Sequence, residues 1–245
     1  MDLGNSLSTA FSTGHAKRQG CLTKMALENI HLRKLLKLLF LEEQKRRSAL
    51  RADIREDIRR EAGDDAGGGD FYSPFWADAK SHVFGGADLR ATTQARIAAN
   101  SRRDNLYPRL RDGFLSWWEE KRRWTNQPFK PGRKLKARYR FPGLDATVKV
   151  DNILTVVDGS GDEHVVYSYF SPEPALTDES ARLGLWLICQ AFPGIPAEEL
   201  RILDIIRGNT FSLDRTPLTG EEELEFRARY ARLIRERDML RKEYE

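Results

Sequence analysis

Apolar positions recur at helical spacing in the first quarter of the chain. Leu32, Leu35, Leu36 and Leu39 form one stripe, and Leu50, Ile54 and Ile58 continue it at four-residue steps. The pattern predicts helix from about Thr23 to Glu61, a charged amphipathic arm packed on its own domain or on a partner. Gly63 to Asp70 (GDDAGGGD) then reads as a flexible joint. A short helix is expected over Thr92 to Asn100. A stronger one follows over Asn105 to Trp124, where Leu106, Leu110, Phe114, Trp117 and Trp118 fall on one side. Beyond residue 130 the period changes. Lys134 to Phe141 alternates strictly, Asp145 to Val157 reads as a strand or strand pair, and Gly159-Ser160-Gly161-Asp162 as the hairpin turn into a strand from His164 to Phe170. Thr177 or Asp178 caps a helix carrying Leu183, Trp186, Leu187 and Phe192. Arg201 to Arg207 and Thr210 to Leu213 read as a strand pair, and Gly220 to Glu245 as a charged amphipathic helix. The fold class is therefore α+β, a mixed sheet flanked by helices. Its expected parts are a disordered leader over 1–22, a helical arm over 23–61, an α/β core over 71–219 with a helical N-terminal part, and a C-terminal helix over 220–245.

Composition adds limits to this picture. With 40% hydrophobic and 32% charged residues, the 245-residue chain reads as a soluble protein with a modest core. No apolar run approaches membrane-spanning length, so no membrane partner is expected. Cys21 and Cys189 form no metal-binding or disulfide pattern, and a reducing cytoplasm is the expected compartment. His82 lies between Asp78 and Asp88 at a spacing that fits no ligand rule and reads as a surface histidine. Met25 is a candidate alternative start.

Charge changes the picture more when it is located. The net charge is +4, yet Arg102 to Arg140 holds thirteen basic residues against four acids, Arg122 and Arg123 among the former. On the alternating strand, Leu135, Ala137, Tyr139 and Phe141 fall on one face and Lys134, Lys136, Arg138 and Arg140 on the other. A solvated outer face explains alternation. It does not explain the lack of any acid, since mixed charge solubilises equally well. These six cations are the candidate nucleic-acid-binding residues.

Asp151 in VKVDNIL, followed by the hairpin, the strand VVYSY and the helix, resembles the core of the PD-(D/E)xK nuclease superfamily, most closely its RecB-like branch. The resemblance covers about half of the chain. It implies a first-strand acid at Asp151 and an acid-x-lysine at the positions held here by Tyr167 and Tyr169. It also places Arg182 and Trp186 where a helix glutamine and a tyrosine are expected. In active members the carboxylates hold Mg²⁺ against the scissile phosphate while the lysine helps activate water. Tyrosines supply neither carboxylate nor cation at neutral pH. Asp151 is then a vestigial acid, and no metal or other cofactor is expected. Glu119, Glu120, Lys149 and Glu179 are the candidates for catalytic groups migrated from elsewhere, and Mg²⁺ enters only if they restore cutting.

The expectation is a non-cleaving, nuclease-like protein that binds nucleic acid, DNA in the first instance, as a subunit of a larger prokaryotic processing or defence assembly. The alternatives are an active Mg²⁺-dependent nuclease using the migrated residues, and an adaptor that meets a partner or a second copy through its N- and C-terminal helices.

Overall fold

The computed structural model describes residues 27–64 and 71–244. The leader over 1–22, Cys21, Met25 and most of the glycine-rich joint (65–70) lie outside the described residues. The architecture is α+β, with about 51% helix and 16% strand. In chain order it runs β1 (Asn29–His31), α1 (Leu32–Phe40), α2 (Glu43–Glu61), α3 (Ser73–Val83), α4 (Leu89–Ala99) and α5 (Tyr107–Leu115), whose end passes into a π-helical turn, Ser116–Lys121. Then come β2 (Lys130–Pro131), β3 (Ala137–Arg140), β4 (Thr147–Val150), β5 (Leu154–Val157), β6 (Glu163–Tyr169), α6 (Asp178–Ala191), β7 (Leu200–Asp204), β8 (Asn209–Ser212) and α7 (Glu222–Arg241).

The strands form two sheets, β2-β5-β6-β7-β8 and β1-β4-β3. β6 and β7 are parallel, and α6 makes the crossover that such a pair requires. Its N-terminus is closed by a reciprocal capping box between Thr177 and Ser180. The large sheet is covered on both faces, so its central strands alternate between two cores rather than between core and water. Val165, Tyr167, Tyr169, Leu200 and Ile202 face α1, α2, α6, α7 and the small sheet. Leu154, Val156, Val166, Leu203 and Ile205 face the aromatic layer of α3, α5 and the π turn, with Phe75, Trp76, Phe114 and Trp117 at its centre. α3 itself carries Pro74 in its first turn, where the missing N–H costs nothing.

The single helix expected over 23–61 is instead a strand and two helices, broken at Glu42 by an extended backbone (φ −51°, ψ 144°). α1 buries Leu32, Leu35, Leu36, Leu38 and Leu39, too many for a stripe on a surface arm, and it lies inside the main core. Leu50 and Ile54 of α2 share that core with Phe226, Tyr230, Leu233 and Leu240 of α7. Ion pairs clasp the two helices: Arg46–Glu236 at 2.8 Å, Arg241–Glu61 at 2.7 Å and a buried Arg237–Asp57 pair at 2.5 Å. The stripes expected to meet a partner are thus covered within the chain, and much of the mixed charge on α2 answers α7. The strand expected over Lys134 to Phe141 is shorter, four residues. The stretch from Asp145 to Val157 is a pair of strands that belong to different sheets. Among the described residues no helix is long and apolar enough to cross a membrane.

Candidate nucleic-acid interface

The small sheet is one-sided. Ile30, Val148, Val150 and Phe141 are buried beneath it, and Ala137 and Tyr139 pack against the same core. Residues paired directly across strands share a face. The register sets His31 opposite Lys149 and Lys149 opposite Arg138, one basic row across all three strands. The next row is Asn29, Thr147 and Arg140. Lys134 and Lys136 approach β3 from outside the ladder, and both are exposed. Among the described residues Lys134, Lys136 and Arg138 have no ion-pair partner, whereas Arg140 meets Asp145 at 3.3 Å. The alternation seen in the sequence is therefore real in space, and β4 and β1 extend it with two more basic groups.

Asp151 closes this face. It follows β4 at a corner where Asn152 takes a left-handed backbone (φ 58°), a conformation that asparagine tolerates better than most residues. The Trp76 indole N–H holds the corner by donating to the Asn152 carbonyl at 2.6 Å. Here the chain leaves the small sheet and enters the large one. The Asp151 carboxylate meets His31 Nδ1 at 3.0 Å. That hydrogen bond, aided by the nearby charges of His31, Arg33 and Lys149, outweighs partial burial and keeps the carboxyl below its ordinary range. Asp151 is thus an ionised group set among basic residues. Among the described residues no cluster of three or more His, Cys, Asp or Glu side chains is placed to hold a metal ion.

The groups considered for migrated catalysis are not gathered around it. Glu119 pairs with Arg90 at 3.4 Å, and Glu120 accepts from the Ser116 hydroxyl at 3.4 Å, both on the π turn. Glu179 pairs with Arg229 of α7. Only Lys149 shares the face of Asp151. Arg182, at the expected glutamine position, pairs with Glu222 at 3.2 Å, and Trp186 packs against Phe141 and Tyr139.

Tyr167 and Tyr169 have structural work of their own. The Tyr167 hydroxyl accepts the Arg33 backbone N–H at 2.9 Å, in the first turn of α1, where the N-cap His31 offers no side-chain bond. It therefore satisfies one of the donors that a helix start leaves open. The Tyr169 hydroxyl donates to the Pro174 carbonyl at 2.9 Å. Burial pushes both phenols well above their ordinary range, so both are neutral donors and acceptors at any physiological pH.

Arg122 and Arg123, counted with the basic segment, do not join the row. The Arg122 guanidinium sits in an aromatic cage, 3.8 Å from the Trp118 ring centre, 4.3 Å from Phe129 and 5.0 Å from Trp124. Burial lowers its pKa, and its Nε and Nη1 have no hydrogen-bond partner. Arg123 is held by Asp214 at 2.6 Å. Trp124 also stacks on His164 at 4.4 Å, and His164 reaches Asp158 at 3.2 Å and Glu199 at 2.6 Å. These residues brace the far ends of β5 and β6 rather than present free charge.

Sequence reasoning missed His31 and Arg33. The signal was the basic run His31-Leu-Arg-Lys34-Leu-Leu-Lys37, which was absorbed into a helix pattern. Comparison with protein-family models gives no match, and comparison with curated proteins and with solved structures gives none either.

Proposed function

We propose that this chain is a non-cleaving nucleic-acid-binding protein that holds a phosphate backbone on the outer face of β1-β4-β3. The observation that supports this best is the row His31–Lys149–Arg138, flanked by Lys134, Lys136 and Arg140, on a sheet whose other face is core. Alternate residues on a strand stand about 6–7 Å apart, close to the spacing of successive phosphates, so strand and backbone can run side by side. Such contacts position a backbone without reading bases. The order β5-β6-α6-β7 is compatible with the resemblance to a nuclease core, while the charge lies on the neighbouring sheet. A lone ionised Asp151, tied to His31, orients the imidazole and balances Lys149.

The test is binding of the full chain to single-stranded and duplex DNA across a salt series, with the variant Lys134→Gln, Lys136→Gln, Arg138→Gln, Lys149→Gln. Each lost contact removes about 0.7–0.9 from the slope of log affinity on log salt, irrespective of sequence. A variant that melts like the parent and keeps its affinity and slope would overturn the reading. DNA and RNA are expected to stay intact with Mg²⁺ or Mn²⁺. Cleavage that vanishes in Asp151→Ala would establish the nuclease instead.

A further inference from the structure

A cavity of about 820 Å³ runs along β8, the outermost strand of the large sheet. Consecutive residues from Gly208 to Ser212 line it. Alternate side chains of a strand point to opposite faces, so a cavity that meets every residue in turn lies along the strand's edge. That edge has unused hydrogen-bonding groups. The Ile205 N–H donates to the Tyr169 carbonyl, so Ile202 and Asp204 of β7 turn their main-chain groups the other way, toward β8. Ile202 with Phe211 and Asp204 with Asn209 are therefore the hydrogen-bonded pairs, and Thr210 and Ser212 point their main-chain groups out of the sheet. The Ser212 carbonyl accepts from the N–H groups of Arg215 and Thr216. Among the described residues the Thr210 N–H, the Thr210 carbonyl and the Ser212 N–H have no such partner.

Sheet edges are ordinarily blunted by charge or proline. β2, at the other side of the same sheet, has Lys130 and Pro131, and β3, an edge of the small sheet, has Arg138 and Arg140. β8 reads Asn209-Thr210-Phe211-Ser212, with neither. Its two sides differ. Thr210 stands opposite Leu203 and shares the face of the aromatic layer, where Lys121 and the caged Arg122 line the cavity. Among the described residues no acid pairs with either, and Lys121 donates to the Arg207 carbonyl at 3.4 Å. On the opposite face lie Phe211 and the first residue of α6, Asp178, which has no cation partner among the described residues. The other charges of the lining balance. Arg123 holds Asp214 at 2.6 Å, Arg201 holds Glu199 at 3.3 Å, and Arg215 and Glu198 are exposed and of opposite sign.

We propose that β8 accepts an extended peptide of a partner protein as a sixth strand of the large sheet, with acidic side chains turned toward Lys121 and Arg122. A peptide carries both N–H and C=O groups and can meet all three open groups of the edge. Phosphate groups accept but do not donate, and would leave the Thr210 carbonyl unmet. Peptide residues opposite Thr210 and Ser212 share their face and meet the two cations. The residue between them faces Phe211 and Asp178, which favours an apolar or basic side chain. The partner segment therefore alternates acidic residues with apolar or basic ones. None of these groups belongs to the outer face of β1-β4-β3, so the site stands or falls apart from nucleic-acid binding there.

The experiment is fluorescence anisotropy of the full chain with a labelled peptide, Thr-Glu-Val-Glu-Lys-Thr, capped at both ends. The same peptide methylated on both glutamate nitrogens cannot donate to the edge and should bind roughly tenfold weaker, the worth of one or two main-chain hydrogen bonds. Thr210→Pro removes an N–H that the ladder does not use, so the edge strand should keep its fold in a thermal melt and lose the peptide. Lys121→Glu, at an exposed position, should weaken the parent peptide and favour one with lysines in place of the glutamates; it carries the test if Thr210→Pro does not fold. Equal binding of the methylated and parent peptides, or no saturable binding of the parent, would overturn the proposal. A 12-nucleotide DNA strand that displaces the peptide, and that Thr210→Pro retains while Lys121→Glu releases it, would assign the cavity to a phosphate chain and overturn the proposal likewise.

Discussion

Installing the acid-x-lysine that a nuclease resemblance would put on β6, as Tyr167→Glu, Tyr169→Lys, should unfold the protein rather than arm it. Both rings are almost fully enclosed, at 2% and 1% exposure. Tyr167→Phe isolates the smallest part of the effect. It keeps the ring and removes the acceptor for the Arg33 N–H, a cap worth about 1 kcal/mol, or roughly 2–4 °C in a chain of this size. The double variant loses two packed rings, of which large-to-small core changes cost about 3–5 kcal/mol each when truncated fully. It also places a carboxylate and an ammonium in a core, at several kcal/mol apiece if they stay charged. Their side chains leave the strand about 6–7 Å apart, too far for a direct hydrogen-bonded pair without distortion. Even after allowing for the stems that Glu and Lys retain, the sum exceeds about 5 kcal/mol, comparable with the whole stability of an ordinary domain. Thermal melts by circular dichroism, beside a cleavage assay with Mg²⁺, read both consequences. A double variant that melts within a few degrees of the parent and cuts DNA in an Asp151-dependent way would refute this reasoning, because the tyrosines would then be plugs in a dormant active site.

Asp151→Asn should change stability in a pH-dependent way. The folded carboxyl lies below its ordinary range, so its contribution is complete above the ordinary carboxylate pKa and is lost as pH falls through the lowered value. Urea midpoints of parent and variant should differ at pH 7 and converge toward pH 2; a constant gap would contradict the linkage. Arg122→Ala should empty the cage of Trp118, Trp124 and Phe129 and lower the melting temperature by a few degrees, from lost cation–π contact and stem packing of about 1–2 kcal/mol. Its salt slope for DNA should equal the parent's; a slope reduced by one contact would return Arg122 to the interface. A 62–219 fragment should fail to fold, because it lacks β1, α1, α2 and α7 and bares the core they cover. A sharp, cooperative melt of the fragment would show that those elements are appended and not integral.

What could be read in advance was local. The alternation of Lys134 to Phe141 survives as β3 with its approach, because period 2 fixes faces without knowledge of partners. The capped helix after Thr177 and the strand pair around Gly208 are also set by neighbouring residues. The contacts that make the site are not local. His31 reaches Asp151 across 120 positions of sequence through a parallel pairing that leaves no mark on either strand alone. One left-handed Asn152 sends β4 and β5 into different sheets, where the pattern left a single strand or a strand pair open. The nuclease resemblance gives Tyr167 the place of a catalytic group, while its actual constraint, an open N–H on α1, sits on an element that the sequence pattern puts in an arm. Arg122 was counted as free charge although Trp118, Trp124 and Phe129 beside it already spelled a cage.

The arrangement separates the work of folding from the work of charge. β6 is buried on both faces, and its Tyr167 fixes the start of α1. α7 fixes the segment before β1, because the Tyr230 hydroxyl donates to the Leu27 carbonyl. Together they hold β1 against β4 and so set His31 beside Lys149. The outer residues of the small sheet then carry little of the fold: Arg138, Lys149 and Lys136 can change without opening the core beneath them. Tyr167 and Leu36 lie on the opposite side of that division. Among the described residues Lys134, Lys136 and Arg138 have no ion-pair partner and Arg140 meets Asp145, a pattern that solubility alone, which mixed charge serves equally well, does not explain. It follows simply if the missing negative charge belongs to a bound phosphate chain.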